Sequence, residues 1–396
     1  MIIIYKFILN LWKLTLTDMK KLLLNLILLV MAIALTNCSK DSYIEEPEDT
    51  GTGEETKPYV PSPLVEGRAV IAYVTYYGSG LPDPKIVTHI NYAFAELYVK
   101  DGKYNGFKLQ GTQSRFNKVV ALKKQNPKLK IVLSFTNGVA NSDNAPGEGF
   151  SVLSASAEMR KAFAEDCLKF CKEKGIDGID IDWEYPGLGW SSQACDPVND
   201  TKNHVLLMKQ LRETLGDKYL LTYAGYVTNK RTEGKGYKYM DITALDPIVD
   251  YVNIMTYDFD SGSKPHNGMQ ASHAYWDIYR TYNAYRAAGA TPSKLVLGIP
   301  FYGRISFSSS PGAWTYKKII TLGSEYSIDN WDDTAKVPYV IYKGAKYCYY
   351  DNPRSIAYKA EWALDRDFFG LFYWENDQDD AQYTLRRAVW DGVMGY

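Results

Sequence analysis

Residues 177–186 read Asp-Gly-Ile-Asp-Ile-Asp-Trp-Glu-Tyr-Pro. Apolar and acidic residues alternate along 178–184, and a period of two predicts a β-strand whose successive side chains point to opposite faces. One face then carries the carboxylates Asp180, Asp182 and Glu184. The other carries Ile179, Ile181 and Trp183. Such a strand fits a closed barrel, in which one face points into the lumen and the other packs against helices.

The acidic face of this strand indicates a chemical role. Three carboxylates pointing into a barrel are not packing residues, because buried charges need partners or protonation. Crowded like charges raise the pKa of at least one carboxyl group, which keeps it protonated near neutral pH. Glu184 comes last, at the carboxyl end of the strand, where barrel active sites open. A metal-binding acidic cluster is the alternative, disfavoured because no His pair or further carboxylate set completes a coordination sphere.

The rest of the chain alternates short apolar stretches with longer helical ones. Strands are predicted at 69–77, 88–96, 130–135, 178–184, 219–225, 251–257, 295–301 and 370–374. Helices are predicted between them, among others at 155–174, 204–215, 272–288 and 355–366. This order predicts an α/β fold, a (β/α)8 TIM barrel, with a short insert at about 304–350 between strands seven and eight. An open doubly wound sheet is the alternative, but residues 76–80 lack the glycine pattern of a phosphate-binding turn.

The first 63 residues are predicted to lie outside the barrel domain, which we place at 64–396. Met19-Lys20-Lys21, an apolar run over 22–35 and Cys38 together indicate a lipoprotein signal peptide over 1–38, with Cys38 as the lipidated residue. Asn37 departs from the small residue usual at that place, and the run is shorter than the roughly 20 residues of a membrane span. Residues 39–63 are acidic and poor in apolar side chains, which predicts a disordered tether.

We therefore expect a protein anchored to a bacterial outer membrane by its lipid alone, on the cell surface or facing the periplasm. The charged residues after Cys38 resemble the surface-export signal of Bacteroidetes lipoproteins. Met1 or Met19 could be the true start. The formal net charge of −1 argues against nucleic acid as a partner. Nothing in the pattern indicates more than a monomer.

Composition adds three expectations. Aromatic residues make up 14% of the chain, with 33 tyrosines, which suits stacking on sugar rings, although most of them are expected in the core. The four His residues are scattered, so neither a His-based metal site nor a Ser-His-Asp triad is indicated. The five Cys show no CxxC spacing. Cys167 and Cys171 lie one helical turn apart and suit helix packing, and a disulfide among the last four Cys stays open.

The segment 177–186 resembles the DxxDxDxE signature of family 18 glycoside hydrolases, the chitinase family. The resemblance extends over residues 68–396 and includes five further segments: Ala72-Tyr73 to Gly78, Asn91 to Ala95, Met255-Thr256-Tyr257-Asp258, Pro300 to Arg304, and Trp374-Glu375. All of these motifs in order are far more specific than the signature alone. The resemblance implies hydrolysis of β-1,4-linked N-acetylglucosamine, in polysaccharide or oligosaccharide, without a metal or any cofactor.

The resemblance also implies roles for four residues. Glu184 would protonate the glycosidic oxygen, and the substrate's own N-acetyl group would attack the anomeric carbon, as in the substrate-assisted members of this family. Asp182 would orient the acetamide, Asp180 would share a proton with Asp182, and Tyr257 would donate its hydroxyl to the acetamide oxygen. Glu184 would then activate water, which gives retention of configuration.

Six further residues are expected to contact the sugar: Trp374, Asp258, Met255, Arg304, Tyr77 and Phe94. Trp374 would form the floor of the pocket, and Asp258 and Arg304 would position the sugar near the cleavage site. Tyr77 and Phe94 are equally compatible with core packing.

Two departures from the family pattern affect the expected cleft. The SxGG element of strand three reads Ser134-Phe135-Thr136-Asn137-Gly138, with Asn137 in place of a glycine. The insert at 304–350 is shorter than in many processive chitinases, which favours a shallow cleft and endo-acting cleavage or short oligosaccharides.

Three functions stay open at this point. The first is a chitinase or chitooligosaccharidase, and the second is an endo-β-N-acetylglucosaminidase that cuts the chitobiose core of N-glycans. The third is a lectin without catalysis, which is disfavoured because Asp180, Asp182, Glu184 and Tyr257 are all present.

Overall fold

The computed structural model describes residues 58–189, 193–226, 231–232, 236–237, 239–271 and 276–396. The predicted signal peptide with Cys38, most of the predicted tether and His273 lie outside these ranges. No helix within them has both the length and the apolar character that a membrane crossing requires.

The described strands and helices follow one another in the α/β order expected from the sequence. The strands are β1 (Ala69–Thr75), β2 (His89–Lys100), β3 (Lys103–Leu109), β4 (Lys130–Thr136), β5 (Gly178–Asp182), β6 (Leu220–Gly225), β7 (Arg231–Thr232), β8 (Gly236–Tyr237), β9 (Tyr251–Ile254), β10 (Leu295–Pro300), β11 (Tyr302–Arg304), β12 (Ala313–Thr315), β13 (Tyr326–Asp332), β14 (Val337–Tyr342), β15 (Ala345–Tyr349) and β16 (Gly370–Trp374). The helices are α1 (Gln113–Ala121), α2 (Gly149–Ala155), α3 (Ala157–Lys174), α4 (Asp200–Leu215), α5 (Ile242–Leu245), α6 (Ile278–Ala287), α7 (Tyr316–Ile319), α8 (Pro353–Leu364) and α9 (Thr384–Met394).

Eight parallel strands close into a barrel. Their order around the barrel is β1, β2, β4, β5, β6, β9, β10 and β16, and β16 pairs with β1 to complete the ring. The predicted (β/α)8 barrel is therefore confirmed, and the open doubly wound sheet is excluded, because an open sheet leaves two unpaired edges. The strand β3 is antiparallel to β2 and forms a hairpin beside the barrel.

The two faces of β5 pack as the alternation predicts. Ile179, Ile181 and Trp183 are buried on the outer face, and the Trp183 ring stacks on Phe150 of α2 at 5.5 Å and meets His204 of α4 edge-on at 5.7 Å. Burial of these large side chains fixes the rotation of the strand about its own axis. The acidic face is thereby held toward the barrel lumen.

Two helices and one strand have boundaries that differ from the prediction. The helices begin where a side chain caps the first turn, which apolar periodicity does not reveal. The helix α6 begins at Ile278 rather than 272, after Asp277, whose carboxylate accepts the backbone N–H of Arg280. The helix α8 begins at Pro353, where Asn352 and Ser355 form a reciprocal capping box. The strand β5 ends at Asp182, so Glu184 lies two residues past the strand.

An antiparallel sheet occupies residues 302–349 between β10 and β16. Its strand order is β12, β11, β15, β14 and β13, and its core contains Ala335, Val337 and Tyr349. The strand β11 follows β10 after one residue and carries Arg304 at its end. The small sheet therefore places a cationic side chain at the carboxyl end of the barrel.

None of the four cysteines that the structure describes is in a disulfide. Cys167 and Cys171 are buried on the inner side of α3, and burial raises the pKa of the Cys171 thiol to about 12. Their role is helix packing, as their spacing predicts.

Candidate active site

The carboxyl ends of the barrel strands open on a cleft of about 640 Å3. Its walls consist of side chains from the strand ends and the loops that follow them: Tyr73, Phe94, Thr136, Asp182, Glu184, Tyr185, Ala224, Tyr226, Met255, Tyr257, Asp258, Phe259, Trp276, Tyr302, Arg304, Phe307 and Trp374. Most of these are aromatic or apolar, with a few charged groups among them. A concave, mainly apolar site with a few convergent polar groups is typical of ligand-binding clefts.

Asp180 lies beneath the cleft and is fully buried. Its carboxylate accepts hydrogen bonds from the hydroxyls of Thr222 at 2.6 Å, Ser134 at 2.7 Å and Tyr73 at 2.9 Å. The Asn253 amide lies 3.4 Å from it and also donates to the Tyr73 hydroxyl at 3.1 Å. Burial raises the pKa of Asp180, and the donated hydrogen bonds lower it in part. Side chains from four other strands thus hold this carboxyl group in one place.

Asp182 lines the cleft and lies two residues after Asp180, on the same face of β5. It is buried, and its Oδ1 has no hydrogen-bond partner among the described residues. Burial raises the pKa of Asp182 well above its ordinary value, and the nearby negative charges of Glu184 and Asp180 raise it further. An unpaired buried oxygen is costly, so this atom is a candidate acceptor for a donor on a bound ligand.

Glu184 exposes its side chain to the cleft. Desolvation nevertheless raises its pKa, because the surrounding walls replace much of the bulk water around the carboxyl group. A hydrogen bond involving Tyr185 lowers the pKa in part, and the charge of Asp258 raises it. Glu184 is therefore both accessible to a ligand and inclined to hold its proton, which are the two requirements for a general acid.

Tyr257 contributes a ring and a hydroxyl to the wall beside these carboxylates. Its ring meets Tyr302 edge-on at 6.2 Å and Phe372 at 6.0 Å. Burial raises the pKa of the phenol well above its ordinary value, with smaller contributions from Tyr302 and the carboxylates. The hydroxyl therefore stays protonated and can act as a hydrogen-bond donor.

Asp258 and Arg304 form a bidentate ion pair on the same wall. The guanidinium donates to the two carboxylate oxygens at 2.8 and 2.6 Å. Burial acts to raise the pKa of Asp258, but hydrogen bonds involving His266 and Arg304 outweigh it and lower this pKa to about 2. Asp258 is therefore ionised near neutral pH, and Arg304 remains charged.

Trp374, at the end of β16, forms the floor with two other rings. Its indole stacks near Phe94 at 5.7 Å and 26°, and lies 5.5 Å from the Tyr73 ring. Met255 also lines the cleft. Tyr77 does not belong to the lining residues: it is 62% exposed, with its ring edge-on to Tyr76 at 5.0 Å.

The structure explains why Asn137 can stand where the family motif at the end of the third barrel strand, β4, has a glycine. Asn137 is buried, and its Oδ1 accepts the backbone N–H of Phe150 at 3.5 Å. Its φ is not positive, so the backbone at this point uses no conformation that favours glycine. Thr136, the residue before it, lines the cleft.

The predicted site residues left out seven aromatic residues of the cleft: Tyr73, Tyr185, Tyr226, Phe259, Trp276, Tyr302 and Phe307. Most of them lie within a few residues of the carboxyl end of a barrel strand, and that position is the signal that could have found them. Phe307 is 62% exposed, and this exposure is visible only in the structure.

The described part of the chain contains no group of three or more His, Cys, Asp or Glu side chains suited to hold a metal ion. Of the three carboxylates at the end of β5, Asp180 has hydroxyl and amide groups as its partners.

A (β/α)8 barrel with a protonatable carboxyl group at its open end, a second carboxylate beneath it and an aromatic floor is an arrangement typical of glycoside hydrolases. Residues 69–379 match the family model of glycosyl hydrolases family 18. The chain belongs to this family.

Three relatives illustrate the similarity. Chitinase A1 of Niallia circulans is 29% identical over 80% of this chain, and the chain spans 56% of that protein's length. A chitinase structure from Rhizomucor miehei superposes with a TM-score of 0.70 at 27% identity, covering 82% of this chain and 100% of that one. A family 18 N-acetylglucosaminidase from Paenibacillus barengoltzii gives a TM-score of 0.67 at 25% identity, covering 82% and 99%.

Proposed function

We propose that this protein hydrolyses β-1,4-linked N-acetylglucosamine in chitin or chitooligosaccharides, with retention of configuration and with the substrate's acetamide as the nucleophile. The observation that carries the proposal is the unpartnered Oδ1 of buried Asp182 beside the accessible carboxyl group of Glu184. An acetamide N–H is a donor that fits this oxygen. Beneath it, the Asp180 carboxylate already accepts hydrogen bonds from Thr222, Ser134 and Tyr73.

Glu184 acts first as the general acid. Its raised pKa keeps a proton available to the glycosidic oxygen as the bond to the anomeric carbon breaks. The substrate's acetamide carbonyl oxygen attacks the anomeric carbon from the opposite side and forms an oxazolinium ion. Glu184, now ionised, removes a proton from the incoming water, which opens the ring and restores the acetamide. Two displacements at one carbon give retention.

Asp182 and Asp180 support the acetamide during this step. Asp182 accepts the acetamide N–H and stabilises the positive charge that develops on the ring. Asp180 cannot move, because three hydroxyl groups hold it, and it limits the positions that Asp182 can take. A proton shared between the two carboxyl groups relieves their mutual repulsion.

The walls of the cleft position the sugar. Trp374 offers an indole face beneath the ring, and Tyr257 donates its hydroxyl to the acetamide oxygen. Arg304, held by Asp258, presents its charge at the cleft wall. The names of the relatives support N-acetylglucosamine as the sugar: two are chitinases and one is an N-acetylglucosaminidase.

The substrate is tested with residues 60–396 as the enzyme, offered chitotetraose, a fluorogenic chitobioside and a high-mannose glycoprotein. We expect cleavage of both chitooligosaccharides and none of the glycoprotein, because beyond its two core sugars the glycan consists of branched mannose, which has no acetamide. Deglycosylation without chitooligosaccharide cleavage would replace the proposal with an N-glycan endoglycosidase. Binding of both without turnover would leave a lectin.

The pH profile of kcat/KM tests the role of Glu184. The acid is active only when protonated, so activity falls as pH rises through its pKa, and a raised pKa moves this fall above the ordinary carboxyl value of 4.5. Asp258, with a pKa of about 2, adds no second limb in the measurable range. The alkaline fall should flatten for a chitobioside with an acidic phenol as leaving group, which needs no proton. An equally steep fall for both leaving groups would contradict the assignment.

We also propose that the protein is a lipoprotein anchored through Cys38. The basic, apolar and cysteine segments over 19–38 support it. A bacterium that expresses the full chain should incorporate an alkyne fatty acid into it, and Cys38→Ala should abolish the label and release activity from the membrane fraction. Label retained in Cys38→Ala, or a soluble protein in both cases, argues against the anchor.

A further inference from the structure

His266 lies behind the wall of the cleft, in the segment between β9 and α6. Its ring is fully buried and lies 5.3 Å from the Tyr302 ring at an angle of 35°. The residue is also tied through its backbone, because its carbonyl accepts the N–H of Phe259 at 3.0 Å. His266 is absent from the lining residues, so any effect on a bound sugar passes through another side chain.

The imidazole contacts Asp258 at two atoms. Its Nδ1 lies 3.3 Å from the backbone nitrogen of Asp258 and 3.4 Å from the carboxylate Oδ1. A neutral ring accepts the N–H through Nδ1, and a protonated ring donates to the carboxylate. His266 is therefore bonded to Asp258 in either protonation state.

Packing alone does not explain an imidazole at this position. Nε2 is a donor or an acceptor according to the tautomer, and in either case this buried atom has no partner among the residues that the structure describes. A phenyl ring would fill the same space without burying an unpaired polar atom. What the histidine adds is Nδ1, and Nδ1 faces Asp258.

The backbone of Asp258 needs such a support. Its φ is 57°, in the left-handed region that a residue with a side chain seldom adopts. This conformation directs the N–H toward His266 and the carboxylate toward Arg304. The guanidinium donates to the two carboxylate oxygens at 2.8 and 2.6 Å. Arg304 in turn lies over the rings of Tyr302 at 5.0 Å and Phe307 at 5.3 Å.

We propose that His266 is a positioning residue, whose Nδ1 fixes Asp258 and thereby holds the Arg304 guanidinium on the cleft wall at the place where it meets the sugar. The effect of His266 on catalysis rests on the proposed function, whereas the contacts among His266, Asp258 and Arg304 do not.

The kinetic test compares two substitutions at His266 with a matched control. His266→Phe keeps the ring volume and removes Nδ1, while His266→Asn keeps an acceptor and a donor near Asp258. His204→Phe is the control, because His204 is also buried but neither of its ring nitrogens has a partner. For chitotetraose we expect His266→Phe to raise KM about tenfold with little change in kcat, since one charge-assisted contact is displaced. His266→Asn should recover most of the loss, and His204→Phe should match the wild type.

A double-mutant cycle separates positioning from a general weakening of the fold. In an Arg304→Ala background, His266→Phe should have no further effect on KM, because the group that it positions is gone. An undiminished effect in that background, or a His266→Phe enzyme with wild-type KM, overturns the inference.

A second readout does not depend on turnover. The Arg304 Nε–H signal in a 1H–15N spectrum, assigned by its loss in Arg304→Lys, should be protected from exchange in the wild type and in His266→Asn, and exposed in His266→Phe. If no glycan is bound or cleaved, the proposed function fails, and this signal still decides the positioning role. Unchanged protection in His266→Phe would overturn it.

Discussion

Replacing Glu184 by glutamine is expected to lower kcat on chitotetraose about a thousandfold and to leave the fold intact. Glutamine keeps the size of the side chain and removes the proton that the glycosidic oxygen needs. The Glu184 side chain is exposed to the cleft, and desolvation by the cleft walls raises its pKa. The site therefore already accommodates the neutral form of the carboxyl group. Steady-state kinetics and a thermal melt measure the two effects.

Two controls make this result specific. Glu165→Gln changes an exposed glutamate on α3 and should leave kcat unchanged. Binding of chitotetraose by Glu184→Gln, followed by tryptophan fluorescence, should stay within a few-fold of the wild-type value, because Trp374 and Arg304 are untouched. Residual turnover near that of the wild type would remove Glu184 from the role of acid.

Replacing Asp182 by asparagine is expected to lower kcat by about two to three orders of magnitude, as the loss of one electrostatic contact to a developing charge does. Asparagine keeps an Oδ1 that can accept the acetamide N–H but carries no negative charge, so the stabilisation of the positive charge that develops on the ring is lost. Kinetics on chitotetraose measure the loss, with Asp217→Asn, an exposed loop position, as the control. A kcat within tenfold of the wild type would contradict the substrate-assisted mechanism.

The same substitution should raise stability near neutral pH. Burial and two like charges raise the pKa of Asp182 in the folded state, so ionising it above the unfolded value of about 3.9 costs folding free energy. Asparagine carries no such charge, and its gain in free energy of unfolding over the wild type should grow as pH rises. Urea unfolding at several pH values measures this. A gain that shrinks with rising pH would mean that the folded state favours the ionised form of Asp182.

Local patterning was sufficient to predict the barrel. The alternation in 177–186 assigned Asp180 and Trp183 to opposite faces, and burial of Trp183 against two helices agrees with it. The helix starts were less accurate, because the caps at Asp277 and Asn352 depend on how the chain enters each helix. Tyr77 belongs to a matched motif but is not among the residues that line the cleft, so its contact with the sugar stays a prediction.

The sequence alone therefore determined the strands, their buried faces and the order of the motifs, because side-chain direction follows from backbone period and apolar residues must be buried. Only the tertiary structure decided which side chains meet. The partners of Asp180 come from strands far apart in the chain, Oδ1 of Asp182 stays unpaired, and His266 reaches Arg304 through Asp258. These contacts depend on barrel closure, which brings the ends of distant strands together and which no local sequence period encodes.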